Sequence, residues 1–281
     1  RLVDAGLRMA LTRTQSASEE WSSVLLSAGS DVTFSQKYSD YTAANVADFL
    51  LRDTSNPSST MAAIETARNN ARMVRTALTR ETWESINEAW MALKRMLAKP
   101  IDERDLPSVL DAIKRETALI RGSFYGTMLR NEIFDFAQIG SYVERADNTA
   151  RIIDVKYYVL LPSVSYVGTP LDTGQWEHVL RSLSGERAYR WLNAGRMDAR
   201  SIADFLMLDP RFPRGLVFCY AALLENRAAL ARSHGHEGEA NTLVRNAHER
   251  LTAQDIDGIF EQGLHEFLLE FIAQHQRIAE A

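Results

Sequence analysis

The sequence predicts an all-α protein. Apolar residues recur at spacings of 3 and 4 along almost every segment, and helix-start and helix-stop residues bracket those segments. No stretch shows sustained apolar/polar alternation with β-branched enrichment. The spacing places helices near 1–12, 17–28, 42–53, 57–79, 82–98, 104–121, 123–134, 136–161, 173–184, 186–194, 198–208, 213–232, 238–251 and 255–278.

Taken in order, Ser16 and Glu19 form a capping-box pair ahead of Trp21, and Gly29 is a stop. Asn56 before Pro57 places an N-cap residue ahead of a proline at the first helical position. From there Ile64, Ala67, Ala71, Val74 and Leu78 mark one apolar stripe. Ile139, Val143, Ala146, Ala150, Ile153, Tyr157 and Leu160 mark another, on a long helix that Pro162 ends. Asp172 with Gln175 is a second capping pair, ahead of Trp176, and Gly185 a second stop. The loops fall at 54–56, 162–172 and 233–238.

The chain contains itself twice. Trp21-Ser-Ser-Val-Leu-Leu-Ser-Ala-Gly29 matches Trp176-Glu-His-Val-Leu-Arg-Ser-Leu-Ser184, and Val46-Ala-Asp-Phe-Leu-Leu-Arg-Asp53 matches Ile202-Ala-Asp-Phe-Leu-Met-Leu-Asp209. Pro57 then falls opposite Pro213 and Asn70 opposite Asn226. Arg1–Leu11 matches Arg151–Leu161, the later part of a helix that begins near Phe136. The spacing is too long for a solenoid unit, whose period is roughly 20–50 residues. It predicts a bundle of two tandem, pseudo-symmetric helical halves packed as one unit. The first half spans 1–135, with its opening helix incomplete, and the second spans 136–281.

With 32 basic and 37 acidic residues the net charge is −5, which argues against a nucleic-acid binder. Cys219 is the single cysteine; it rules out an intrachain disulfide, fits a reducing cytosol, and beside Phe218 and Tyr220 reads as a packing residue. No run of 18 apolar residues exists and no signal peptide is recognised, so a cytoplasmic protein off the membrane is expected.

Two charged rows stand out. Glu144, Asp147, Arg151 and Asp154 lie along one flank of the long central helix, and Asp147→Arg151 is a good i,i+4 pair. Arg68, Arg72 and Arg75 form a basic row along the 57–79 segment. One reading has the rows face each other and lock two helices in register. The other is an anion- or carboxylate-binding site, because the guanidinium fork matches those groups. At an offset of 156 the arginines fall opposite Leu224, Ala228 and Ala231, so the second copy has no basic row. By contrast Asp48/Asp204 and Asp53/Asp209 occur in both copies and read as structural. Trp83, Asn87 and Trp90 share a helix face, read as core packing or as a partner-binding aromatic face. His234 and His236 near Glu237 and Glu239 read as a polar loop or a weak zinc pair; no metal site or cofactor is assigned. Phosphate-binding loops, dinucleotide fingerprints, nucleophile elbows and metalloprotease helices are absent.

Glu144-Arg145-Ala-Asp-Asn148-Thr-Ala-Arg151 resembles the "ER" helix of the bacterial Alpha-E family. Phe49-Leu-Leu-Arg-Asp53, Asn56-Pro-Ser-Ser59, Ala67-Arg-Asn-Asn-Ala-Arg72 and Trp83-Glu-Ser-Ile-Asn87 resemble further blocks of it, in order along the chain. Two departures are the missing first-copy Glu-Arg pair and Asn69 in place of a glutamate. The resemblance implies the company of circularly permuted ATP-grasp ligases, in trans or fused, and of transglutaminase-like peptidases, with a peptide or amino acid as the system's substrate. The function expected is a non-catalytic accessory module of such a peptide or amide ligase. The alternatives are an enzyme using Glu144 as acid/base and a purely structural oligomerisation module. The binding candidates are Glu144, Arg145, Asp147 and Arg151 with Arg68, Arg72 and Arg75.

Overall fold

The computed structural model of the chain describes residues 1–10, 17–160, 169–194 and 197–281. Among the described residues all regular structure is helical, and no helix is long and apolar enough to cross a membrane. In chain order the helices are α1 (Leu2–Ala10), α2 (Ala17–Ser27), α3 (Asp31–Ser35), α4 (Ala43–Ala47), α5 (Thr60–Met73), α6 (Arg80–Met96), α7 (Leu106–Thr127) and α8 (Glu132–Leu160). There follow α9 (Pro170–Ser182), α10 (Glu186–Leu192), α11 (Ala199–Met207), α12 (Leu216–His234), α13 (Glu239–Thr252), α14 (Ile256–Gln262) and α15 (Leu264–Glu280). A π turn, Asp48–Arg52, extends α4, and a 3₁₀ turn, Arg75–Ala77, follows α5.

The chain divides into two compact units, Ser16–Arg130 and Arg1–Gln15 with Asn131–Ala281. The helix α1, grouped by sequence with the first repeat, packs on α8 and α9 in the larger unit. In the smaller unit α6 packs between α5 and α7. Its core gathers Trp21, Leu25, Phe34, Phe49, Leu93 and Leu106, all nearly or fully buried. In the larger unit α8 lies on α12 and α15, and one core takes in Ala5 of α1 and buried residues from Ala146 to Ile278.

Several boundaries differ from those the sequence predicts. Asn56 does not cap a helix at Pro57; its Oδ1 accepts from the Ser58 amide at 3.0 Å and its Nδ2 donates to Phe49 O at 3.0 Å. The N-cap of α5 is Ser59, whose hydroxyl accepts from the Ala62 amide at 3.2 Å. Asp172 is not a cap either. Thr169 caps α9 with Pro170 next, the better start because proline there removes an amide that has no helical acceptor. Ser16 lies outside the described residues. The segments 104–121 and 123–134 are largely one helix, α7, since Gly122 keeps helical geometry, whereas 255–278 is two, broken at Gly263 with φ 104°. The short α3 has too few residues to show a period.

Between Trp21 and Ser59, and between Trp176 and Gly215, the same backbone bonds recur. Gly29 N–H donates to Leu26 O and Ser30 N–H to Leu25 O, both at 2.9 Å, a Schellman stop. Ser184 N–H to Arg181 O (3.0 Å) and Gly185 N–H to Leu180 O (2.8 Å) form its counterpart. The left-handed residue is thus Ser184 (φ 60°), not the predicted Gly185. Gly185 serves packing, because a Cβ there would stand 3.1 Å from Phe212 and 3.2 Å from Phe205. Further on, Asp53 N–H bonds Asp48 O (2.9 Å) as Asp209 N–H bonds Asp204 O (3.2 Å). Ser59 N–H bonds Asn56 O (3.0 Å) as Gly215 N–H bonds Phe212 O (2.8 Å). The ring pairs Phe34–Phe49 and Tyr189–Phe205 both meet edge-on at 5.4 Å.

Candidate functional site

The acidic row on α8 is bonded mainly within its own unit. Arg151 Nε donates to Asp147 Oδ2 at 2.7 Å, the i,i+4 pair the spacing predicts, with both side chains partly buried. Asp154 is buried and meets His265 Nδ1 at 2.6 Å, so it belongs to the α8–α15 junction. Desolvation raises its pKa, against the pull of His265 and then Arg151. Arg145 turns to the other side of the helix. Its Nη1 donates to Pro213 O at 3.0 Å, and its guanidinium stacks 4.8 Å from the Tyr142 ring centre. The arginine of the Glu-Arg pair thus ties α8 to the turn that launches α12. Glu144 makes no hydrogen bond or ion pair among the described residues. Its side chain is exposed, yet the surrounding protein strips hydration from the carboxyl, and this, with Asp147 as the second cause, raises its pKa.

The chain belongs to the Alpha-E family. The family's model, described as a predicted alpha-helical domain with a conserved ER motif, matches residues 1–281. No curated protein and no solved structure matches the chain. In this Alpha-E chain the two residues of the Glu144-Arg145 pair part company, Arg145 bracing a turn and Glu144 facing water.

The basic row lies in the smaller unit and meets the aromatic face of α6. Arg68 Nε donates to Asn87 Oδ1 at 2.7 Å and its guanidinium lies 4.1 Å from the Trp90 ring centre. Arg75 sits 5.3 Å from the Trp83 ring centre, and Lys94 Nζ lies 4.7 Å from that of Trp90. Such cation–π contacts stabilise by about 0.5–1 kcal/mol each at open sites. Trp83, Asn87 and Trp90 are therefore not core residues; they are half-buried beneath guanidinium groups. Arg72 is exposed and makes no bond among the described residues, and beside it Met73 is 82 % and Val74 48 % exposed. Only Arg68 and Arg72 share α5, since Arg75 belongs to the 3₁₀ turn.

The paired aspartates behave as the two copies predict. Asp53 Oδ1 accepts from Ser55 N–H at 3.0 Å, and Asp209 Oδ1 from Arg211 N–H at 2.8 Å, each closing the loop after its π-type turn. Asp48 is held by Tyr38 OH at 2.8 Å and by Arg52, whereas burial raises the Asp204 carboxyl, with Asp209 a second cause. Cys219 is buried, which pushes its thiol up to about 12 and leaves it a packing residue. His234 ends α12 and faces Glu132 at 3.4 Å. Among the described residues no group of three His, Cys, Asp or Glu is gathered as a metal site would need.

Sequence reasoning missed the ion pair of Lys156 and Asp172, both buried, with the ammonium 5.0 Å from the Trp176 ring centre. Burial lowers the lysine's pKa, and Asp172 opposes the shift. Its one sequence trace is a lysine on an otherwise apolar turn of the long helix.

Proposed function

We propose that this Alpha-E chain is a non-catalytic partner module of an ATP-grasp-type peptide or amide ligase, docking the ligase or holding its peptide substrate. Family membership supports the setting, since the resemblance implies circularly permuted ATP-grasp company. The single observation that carries the docking role is the cationic–aromatic face in which Arg68 lies over Trp90 and Arg75 over Trp83, with Arg72 exposed beside them. Arginine and tryptophan are the residues on which interface energy concentrates. The ER helix offers less, because Arg145, Asp147 and Arg151 are engaged inside their own unit.

The test uses the full chain and a circularly permuted ATP-grasp ligase of the accompanying kind. Pull-down and ligase ATP turnover are measured with and without the chain. Association with a changed turnover is expected. No association together with unchanged turnover overturns the reading.

A second reading has one observation in its favour. Glu144 is exposed, unbonded and raised in pKa, the state a general acid needs. If it transfers a proton during amide formation, Glu144→Gln abolishes the chain's contribution to turnover while leaving association intact. Under the docking role the same variant changes neither.

A further inference from the structure

The helices α5 and α6 match α12 and α13 at an offset of 156, and the outer face between each pair is open to solvent in both copies. In the larger unit, where α8 lies along α12, Glu239, Leu243, Asn246 and Arg250 of α13 are exposed or half-exposed, and Leu224, Ala228 and Ala231 of α12 are half-exposed. The helix α8 therefore does not cover this face, and its exposure belongs to the repeat. The matching residues of the smaller unit are Trp83, Asn87, Trp90 and Lys94 on α6, Arg68 and Arg72 on α5, and Arg75 just beyond it. The chemistry is what differs. The larger unit has one cation here, Arg250, paired with Glu270 at 2.7 Å, and the smaller unit has four, set among two tryptophans.

The four cations lack counter-ions. Arg68 and Lys94 stand 4.1 and 4.7 Å from the centre of one indole ring, that of Trp90, and among the described residues neither has an ion pair. Two like charges held at one ring repel each other unless an anion joins them. Glu65 and Glu88 lie on the same two helices and form no ion pair with the four, and Glu84 is taken by Arg80 at 2.7 Å. Asn87 Oδ1 accepts from Arg68, and Trp90 Nε1–H is buried without an acceptor. The polar atoms left on the face are all donors: guanidinium nitrogens, the Lys94 ammonium, the Asn87 amide nitrogen and the indole N–H. Donors alone call for a group that only accepts, an ionised carboxylate or a phosphate.

We propose that this face holds an acidic peptide, the substrate of the ligase, by its carboxylates; the inference rests on the module role above and selects substrate holding within it. One carboxylate lies between Arg68 and Lys94 beside Trp90. Another meets Arg75 beside Trp83, with Arg72 between the two. Trp83 and Trp90 stand two turns of α6 apart, roughly 10 Å along the helix, and each guanidinium is held at its own ring. A single small anion does not reach both, whereas carboxylates spaced along an extended chain do. The net charge of −5 disfavours the other polyanion, a nucleic acid.

The probe is a fluorescein-labelled oligoglutamate, read by anisotropy with the full chain at about 0.05 M and about 0.5 M salt. An oligoglutamine of the same length is the neutral control, and an oligodeoxythymidine carries phosphate in place of carboxylate. Saturable binding of the oligoglutamate is expected at low salt, weakened about tenfold or more at high salt, by Arg72→Glu and by Lys94→Glu, but not by Arg245→Glu on α13. Arg72 and Lys94 are exposed, so the variants fold, as thermal melts check. No saturable binding, equal binding of the oligoglutamine, or binding untouched by both variants overturns the proposal. So does tighter binding of the oligodeoxythymidine that the same variants abolish, since the occupant is then a phosphate chain. If the oligoglutamate fails to bind while the unsubstituted chain still alters ligase turnover, the acidic peptide is wrong and the module role stands. If the chain neither associates with the ligase nor alters its turnover, the module role itself fails.

Discussion

From Trp21 to Ser59 the chain makes a helix, a Schellman stop, an edge-on pair of aromatic rings, a π-type turn and an aspartate-closed loop. From Trp176 to Gly215 it makes the same bonds at an offset of 155 to 156. The helices that follow then diverge. Leu223 on α12 is fully buried, and Ala67 at the matching place on α5 is exposed. Local bonding is set by residues a few positions apart, so two copies of a sequence block repeat it. Burial depends on what arrives from elsewhere, and along α12 it is α8 that arrives. The comparison separates what holds each block together from what each block presents.

The sharpest way to break that comparison is to exchange side chains at the matching pair. Leu223→Ala deletes buried methyl groups under α8 and is expected to cost about 2–5 kcal/mol in urea unfolding. Ala67→Leu adds the same groups to an open face and is expected to change stability by less than about 0.5 kcal/mol. Equal costs at the two sites would mean that the α5 face is covered after all.

The pin that holds the covered helix comes next. Tyr220 OH meets His275 Nδ1 at 2.8 Å, and His275 Nε2 donates to Val143 O at 2.9 Å, so the imidazole joins α12, α15 and α8. Ile64 stands at the matching place in α5 and has no polar group to offer. His275→Leu strands the buried Tyr220 hydroxyl and is expected to cost about 2–3 kcal/mol. Adding Tyr220→Phe removes the stranded group, so the double variant should be more stable than the single one in the same assay.

The repeat, the helical class and the Asp147–Arg151 pair are legible because they depend on residues a few positions apart. Gly122 and Gly263 show the limit. Both sit inside apolar periodicity, but the first stays within α7 and the second turns to φ 104° and splits α14 from α15. Glycine permits either conformation, and packing from distant elements decides. The site divides in the same way. The arginine row and the tryptophan face are each visible in sequence, but their meeting needs α5 against α6. Arg145 reaching Pro213 and Lys156 buried beside Asp172 are long-range facts with no local pattern.

His275 also gives the larger unit a pH dependence with a definite sign. Burial, the largest cause, holds its pKa below the ordinary 6.5. The unfolded chain therefore binds the proton more readily, and stability falls as pH drops below about 6.5 toward the depressed folded value. His178 and His248, lowered by burial as well, act in the same direction. Urea midpoints should fall between about pH 7 and about pH 5 for the unsubstituted chain, and fall less for the Tyr220→Phe/His275→Leu pair. An identical fall in both would assign the dependence to the other two histidines.

The smallest effect tests whether the two Schellman stops are equivalent. Gly29 holds φ 63° without a side chain, and Ser184 holds φ 60° with one. Left-handed backbone costs a residue with a Cβ about 1 kcal/mol, so Gly29→Ser should destabilise by about that much. The reverse change, Ser184→Gly, relieves the same strain but gives up the 2.9 Å bond from Arg1 Nη1 to Ser184 Oγ. That bond is exposed, and Arg1 keeps its 2.6 Å bond to Ser182 O, so the net gain should be a few tenths of a kcal/mol. A loss on Ser184→Gly would show that the serine hydroxyl, rather than the backbone turn, holds the second stop.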